Sequence, residues 1–427
     1  MRYYTIWPCP LVLVESVLIK PALSEIINDE RLGMESSVAF ISKGYIHLAT
    51  GGQNKTTIES QFAQQVRQRS LELQQRHGWK GGRSSGMVSS QMLWGVRGDE
   101  TNRMQVNLTG LCRGRSRGEV FYTLNTGEVS GIFLIRQETG QEIRLLHSAD
   151  YKMHNVAVRA GHNDIACAVR NPNGIANLAV MVDDNSGLAE VTEGDSIDLA
   201  PSWMTGPARQ LVFQSAGIAR DASGYVRGRG PYSIQKLDLD TGEITNLAED
   251  SKYDLLSPKA DGAGSLYYIR RPYKRPGERP KWWRLFIDIP MMPLRLLYAA
   301  FQYLNWFTVS YTGRMLTDAG TAKQKEIDAQ RKKVLASLFD AETANRDELL
   351  NATDQPGLVA NSWQLMKQAG NSKAEPIAGG VLSFDICQDG SIVYSNGSEI
   401  FHSPLGSPAV RIAADDFIEQ VASVDMA

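Results

Sequence analysis

One unit of strand, turn and strand recurs along this chain, and a repeat of that kind constrains the fold more than any single residue does. Its clearest copy runs from Asp198 to Leu247. Ala200-Pro201-Ser202-Trp203 opens it, and the apolar strand Leu211 to Ser215 follows. After a Gly-rich loop come Ile234 to Asp240, the turn Thr241-Gly242-Glu243, and Ile244 to Leu247. Asp238, Asp240 and Gly242 supply turn chemistry, because Asx side chains hold their own backbone and Gly accepts positive φ.

The same grammar returns elsewhere. Glu119 to Thr123 and Ile132 to Arg136 are strands, Glu138-Thr139-Gly140 turns the chain, and Glu142 to Leu146 makes an edge. Ile165 to Val169, Asn177 to Val182 and Ala189 to Val191 form a third copy. A further copy begins Leu256-Ser257-Pro258 and passes through Asp261-Gly262 into Leu266 to Ile269. A last one carries Asp389-Gly390 and a tight turn at Asn396-Gly397. Val38 to Ile41 and Tyr45 to Ala49 make a hairpin through Lys43-Gly44.

Where nothing is inserted the period is roughly 45–55 residues, the span of a four-stranded propeller blade. The expected fold is therefore all-β: a six-bladed β-propeller with helical insertions in blades one and five. The blades are expected at 37–110, 118–150, 154–193, 198–250, 254–370 and 378–415. Residues 1–36 form an N-terminal extension, 37–415 the propeller, 272–368 an insertion within blade five, and 416–427 a C-terminal tail or closing strand. Phe417 to Val424, or the segment before Val38, would close the ring. Ile58 to His77 places Ile58, Phe62, Val66 and Leu73 at helical spacing, an amphipathic helix that either lies on its own blade or binds a partner.

The unit around Pro201 and Trp203 resembles the TolB-like propeller repeat, also called the WD40-like PD40 repeat. Trp203, Phe213, Asp238-Leu239-Asp240 and Gly242 carry the resemblance. Ser257-Pro258 with Asp261-Gly262 matches a stretched form of its Ser-Pro-Asp-Gly element, and Asp389-Gly390 matches it in the last blade. Met204-Thr205-Gly206-Pro207 departs from that turn. The resemblance implies a fold rather than an activity. TolB itself has a signal peptide and an α/β domain before its propeller, whereas blades here are expected from about residue 37, so its envelope role is not carried over.

Net charge is −2, which offers no global basic excess for phosphates, and nucleic acid is not expected as a partner. The cysteines, Cys9, Cys112, Cys167 and Cys387, are scattered, which points to free thiols rather than a zinc site or a disulfide framework. No metal and no cofactor are expected. Arg2 and the apolar Leu11 to Ile19 resemble a short signal peptide, but Glu15 interrupts it. A cytoplasmic location is the expectation, with secretion to the periplasm as the second reading and Met34 as a second candidate start. No G-x-S-x-G elbow, P-loop or Rossmann fingerprint occurs, so no catalytic residue is assigned. Two open features are the basic loop Arg113-Gly114-Arg115-Ser116-Arg117 and His154, which with carboxylates would make an axial metal or catalytic site.

The insertion is the functional candidate, because long excursions from a compact fold are usually functional. It begins with cations that include Lys274, Arg275, Arg279 and Lys281, and continues through Trp282, Trp283, Phe286, Trp306 and Phe307. That order suits a membrane interface, where aromatic rings sit at headgroup depth and cations meet anionic lipid. A full span is disfavoured: Arg284, Asp288 and Arg295 would each cost about 2.5–3.5 kcal/mol at mid-bilayer, and Pro290 and Pro293 break the helix. Packing on the propeller, a membrane surface and a protein partner stand as the three readings. The expected function is a non-catalytic interaction platform for a protein partner, peripheral to a membrane if the insertion binds lipid. A hydrolase or lyase acting on a small polar ligand at the channel mouth is the alternative.

Overall fold

The computed structural model describes residues 36–50, 54–78, 106–126, 129–184, 186–274, 357–370 and 372–425. Strands are numbered in chain order. The first blade is β25 (Ile418–Asp425), β1 (Ser36–Ser42), β2 (Tyr45–Thr50) and β3 (Asn54–Ile58). The second is β4 (Asn107–Arg113), β5 (Glu119–Asn125), β6 (Ser130–Arg136) and β7 (Gln141–Ser148). The third is β8 (Lys152–Val158), β9 (Ile165–Arg170), β10 (Ala176–Met181) and the two-residue β11 (Ala189–Glu190). The fourth is β12 (Ser196–Trp203), β13 (Gln210–Arg220), β15 (Ser233–Asp238) and β16 (Ile244–Ala248), with β14 (Val226–Arg229) folded back on the end of β13. The fifth is β17 (Tyr253–Ala260), β18 (Leu266–Pro272), β19 (Gln364–Gln368) and β20 (Glu375–Gly379). The sixth is β21 (Ser383–Ile386), β22 (Ile392–Ser395), β23 (Glu399–Ser403) and β24 (Val410–Ala414). A single parallel bridge, Ala176 to Ile197, links blades three and four.

The inner strands touch in cyclic order: β4 to β8, β12, β17, β21, β25 and back to β4. The fold is thus an all-β propeller, with six blades among the described residues. Its middle strands lie between neighbouring sheets and are buried on both faces, so they read as continuous apolar runs rather than alternations. Val120 to Leu124 and Ile132 to Ile135 show this, and Ile165 to Val169 shows it again. Outer strands such as β7 and β16 face water and lose the pattern.

The blade phases differ from those expected. Asn107–Arg113 is the inner strand of blade two, paired with β5, and does not belong to blade one. The cause is the closure. Blade one takes its inner strand from β25, so its first strand in sequence is its second in space. The β1–β25 register runs from Ser36↔Asp425 to Ser42↔Ile418. Lys43 pairs with Asp416 at 3.0 Å, and Lys55 with Asp415, where the chain enters that strand.

The inserted helix, α1, spans Gln61–Gly78, and Ile58 belongs to β3 instead. Ser60 caps it, its Oγ accepting the Ala63 N–H at 3.1 Å. The Glu142 carboxylate on β7 accepts Ser60 Oγ at 2.9 Å, the Gln61 and Phe62 N–H groups, and the Tyr122 hydroxyl. An anion at a helix N-terminus also complements its dipole. Phe62 and Val66 pack on the apolar cluster that blades one and two share. The helix therefore covers a seam between two blades.

Val421 on β25 is 1% exposed and packs with Val38, Phe40, Val393 and Ile400 between blades six and one. Val421→Asp places an uncompensated charge there and is expected to cost about 3–5 kcal/mol. Val410→Asp, at a 50% exposed position on β24, should change stability by no more than about 0.5 kcal/mol. Thermal unfolding of both variants checks this.

Candidate functional site

Within a blade, antiparallel strands put the turns after first and third strands at one end of the ring. The turns after second strands, and the links to the next blade, lie at the other end. The two ends carry different chemistry.

At the first end a cavity of about 380 Å³ opens around the axis. Its walls include the second halves of β4, β8, β12 and β17, with Ser383 to Ile386 and Glu419-Gln420. Three successive inner strands carry a β-bulge here, two residues opposing one on the partner strand. They are Asn155-Val156, Ala200-Pro201 and Ser257-Pro258. Asn155, Ala200 and Ser257 have φ of 51°, 51° and 50°. Each such non-glycine residue costs on the order of 1–3 kcal/mol, a strain that tends to persist at functional sites. Proline fits the second bulge position because it has no N–H to leave without a partner.

The charged groups lining the cavity are Arg113, Arg159, Lys259, Asp385 and Glu419. Lys259 Nζ bonds Asp385 at 2.6 Å. The Asp385 carboxylate also accepts the N–H groups of Ile386 and Ser423 at 2.9 and 2.7 Å, and Ser423 Oγ at 3.1 Å. Burial works against its charge, but Lys259 and these donors hold the Asp385 carboxyl below its usual range. It is a permanent anion and a poor base. Burial pushes the Cys112 thiol up to about 12, so it is no nucleophile at neutral pH. Arg159 is fully engaged: it bonds Asp164 at 3.1 Å and donates to the carbonyls of Gly206, Pro207 and Ala208. Arg113 and Glu419 each have partners of their own.

The repeat-motif residues are structural. Trp203 Nε1 donates to the Ala157 carbonyl at 3.2 Å, which ties blade four to blade three. Asp238 Oδ1 accepts the N–H groups of Asp240 and Thr241, so Asp238 holds the turn; for Asp240 the donor is its backbone N–H, contrary to the expected Asx role. Asp261 Oδ1 holds the β17–β18 turn through Ala263 and Ser265. The positive φ in that turn belongs to Gly264 rather than Gly262, whereas Gly242 and Gly390 have φ of 74° and 80° as their turns require. Asp389 accepts the Ser391 N–H. Pro201 and Pro258 occupy equivalent bulges, so Pro258 stands within a strand and not in a turn.

At the other end, β13 and β14 project as a ribbon. Asp221 braces its tip by accepting the Ser223 and Tyr225 N–H groups, both at 2.9 Å. Tyr225 and Val226 stand out 72% and 50% exposed. The ribbon's base is locked to the next blade. Arg229 forms a two-pronged pair with buried Asp254, 2.8 Å at each prong, and Arg271 reaches the same carboxylate. Arg229 lies 4.2 Å from the Tyr232 ring centroid, and the Tyr273 hydroxyl bonds the Arg229 carbonyl. Arg271 and Tyr273 stand where the blade-five insertion leaves the sheet. Lys274 is exposed beside them. Arg275, Arg279, Lys281, Trp282, Trp283, Phe286, Trp306 and Phe307 lie outside the described residues, as does the polar segment near residues 321–339. Among the described residues no helix is long and apolar enough to cross a membrane.

The charges facing His154 are cations. Burial, then Arg170 and Lys152, lower its pKa to about 4, which disfavours a bound cation as well. Among the described residues no three His, Cys, Asp or Glu side chains converge on a metal-sized site. Arg115 of the basic loop is committed to Asp184 and the Asn163 carbonyl.

No family model matches the chain, and no curated protein matches it in sequence. Among solved structures it is similar to TolB from Acinetobacter baumannii, at 10% identity and a TM-score of 0.48, over 95% of this chain and 71% of that one. It is also similar to a chain of a nidogen/laminin complex, at 7% identity and a TM-score of 0.49, over 91% of this chain and 98% of that one. An oligogalacturonate lyase in complex with manganese matches 55% of this chain and 58% of its own, at 11% identity and a TM-score of 0.32.

The depressed His154 pKa carries a sign. The folded protein binds this proton only near pH 4, whereas the unfolded chain binds it near 6.5. Stability should fall as pH drops from 6.5 to 4, by on the order of 2–3 kcal/mol from this group. His154→Gln should flatten that limb of a plot of Tm against pH.

Proposed function

We propose that the protein is a non-catalytic, TolB-like propeller that binds a protein partner through the end bearing the β13–β14 ribbon and the blade-five insertion. One observation carries this reading: an adjacent aromatic and aliphatic pair, Tyr225 and Val226, is held out to solvent by a braced turn. Its ribbon is ion-paired through Asp254 to the root of the insertion. Rigid presentation of exposed apolar surface lowers the ordering cost of binding, and Tyr and Arg are favoured anchors at interfaces. The cavity end supports a non-catalytic reading, because Asp385 is a fixed anion and Cys112 a protonated thiol. The cations and aromatics from Arg275 to Phe307 would extend the same docking end, and contact with anionic lipid is the companion reading for them.

The test is site-specific photo-crosslinking in cells. A photoreactive side chain at Tyr225 should give discrete protein adducts. The same group at Leu405, 67% exposed in a turn at the opposite end, should give none. Equal labelling from both positions would remove the case for this docking end. Asp254→Asn should weaken the adduct from position 225 by loosening the ribbon. Flotation with phosphatidylserine vesicles, with and without residues 275–356, decides the lipid reading.

A further inference from the structure

The cavity at the opposite end has a surplus of hydrogen-bond donors. Asp385, its best acceptor, is saturated: one oxygen takes Lys259 and the Ile386 N–H, the other takes the N–H and hydroxyl of Ser423. Lys259 spends one of its three protons on that bond. Asn155, Ser202 and Ser257 line the same cavity, each only half-buried. They come from three successive blades at the level of the strained bulges. Of the remaining charged groups, Arg159 bonds Asp164 and three carbonyls, Glu419 has a partner of its own, and Arg113, though engaged through its other atoms, keeps a buried Nη1 that no hydrogen bond reaches. The two Lys259 protons not given to Asp385, beside neutral hydroxyl and amide groups and with no acceptor to spare on Asp385, offer donors to an oxyanion.

We infer that this cavity is a binding site for a small organic anion, a hydroxylated carboxylate or phosphate ester. Lys259 receives the charge, and Asn155, Ser202 and Ser257 receive the hydroxyls. A volume of about 380 Å³ suits a ligand the size of a sugar acid or sugar phosphate. The site does not depend on the docking end: either could fail alone. Nor does it need catalysis, since Asp385 is held as an anion and Cys112 as a thiol.

The bulges supply an unusual test. At Asn155 and Ser257 the backbone has positive φ, so glycine there relieves strain and deletes a ligand contact at once. Calorimetric titration of the full chain would use gluconate and glucose 6-phosphate, with glucose as the neutral control. At least one anion is expected to bind more than about tenfold better than glucose, the scale of one charge-assisted hydrogen bond. Which anion wins separates a carboxylate site from a phosphate site. Asn155→Gly/Ser257→Gly should lower that affinity at least about tenfold while Tm holds or rises. Lys259→Met/Asp385→Asn removes the ion pair without leaving a lone buried charge and should abolish the preference for anions. Absence of binding by both anions, glucose binding equal to theirs, or full affinity in the glycine variant would each overturn the assignment.

Discussion

Every blade of this ring is stable only because its neighbours cover it. The middle strands present apolar side chains to both faces, and each face is met by the next sheet. Clusters such as Tyr122 with Leu124, Ala422 and Val424, or Ile234 with Leu255 and Tyr268, belong to two blades at once. No sheet can leave without baring such a surface on both neighbours, so the ring holds or fails as one body. The axial charges matter for the same reason. Lys259, Asp385 and Ser423 come from blades five, six and one, so their bonds measure how well three blades are seated.

The polar interactions divide into those that hold the ring and those that are displayed on it. Arg159, Trp203 and Asp164 staple blade three to blade four. Glu142 gathers a helix cap and a tyrosine hydroxyl onto the seam of blades one and two. Asp254 does the same for blades four and five with two arginines, where burial opposes its charge and the Arg229 pair restores it. Tyr225 and Val226 stand outside this economy of satisfied groups, as do the hydroxyls and the amide around the cavity. The two ends of one rigid body therefore offer different surfaces.

The architecture was legible because its cause is local. Asp238-Leu239-Asp240-Thr241-Gly242 and Asp389-Gly390 announce turns, and runs such as Ile165 to Val169 announce strands buried on both faces. The phase was harder. Nothing in Asn107 to Arg113 says that it opens a blade rather than closing one, because that depends on a pairing between residues almost four hundred positions apart. The cavity was barely legible. Pro201 and Pro258 were visible signals, but the positive φ before each is forced by the inner-strand bulge and not by Ala200 or Ser257 as residue types. Lys259 and Asp385 lie far apart in sequence and meet only because the ring brings blades five and six together. The ribbon read as a plain Gly-rich loop: Asp221, which braces its tip, is local, but the lock on its base comes from Asp254 in the next blade.

The closing strand has a consequence for synthesis. Residues 418–425 leave the ribosome about 360 residues after residues 36–58, yet they complete the sheet that those residues begin. Until they emerge, the inner edge of β1 displays unpaired backbone groups beside Val38 and Phe40, the kind of edge that recruits strands from other nascent chains. The interval of exposure is the translation time of the residues between 58 and 418. Slow elongation, or ribosomes crowded on one message, would lengthen or multiply that window. Aggregation during expression would then track translation rate and holdase supply more closely than the stability of the finished ring.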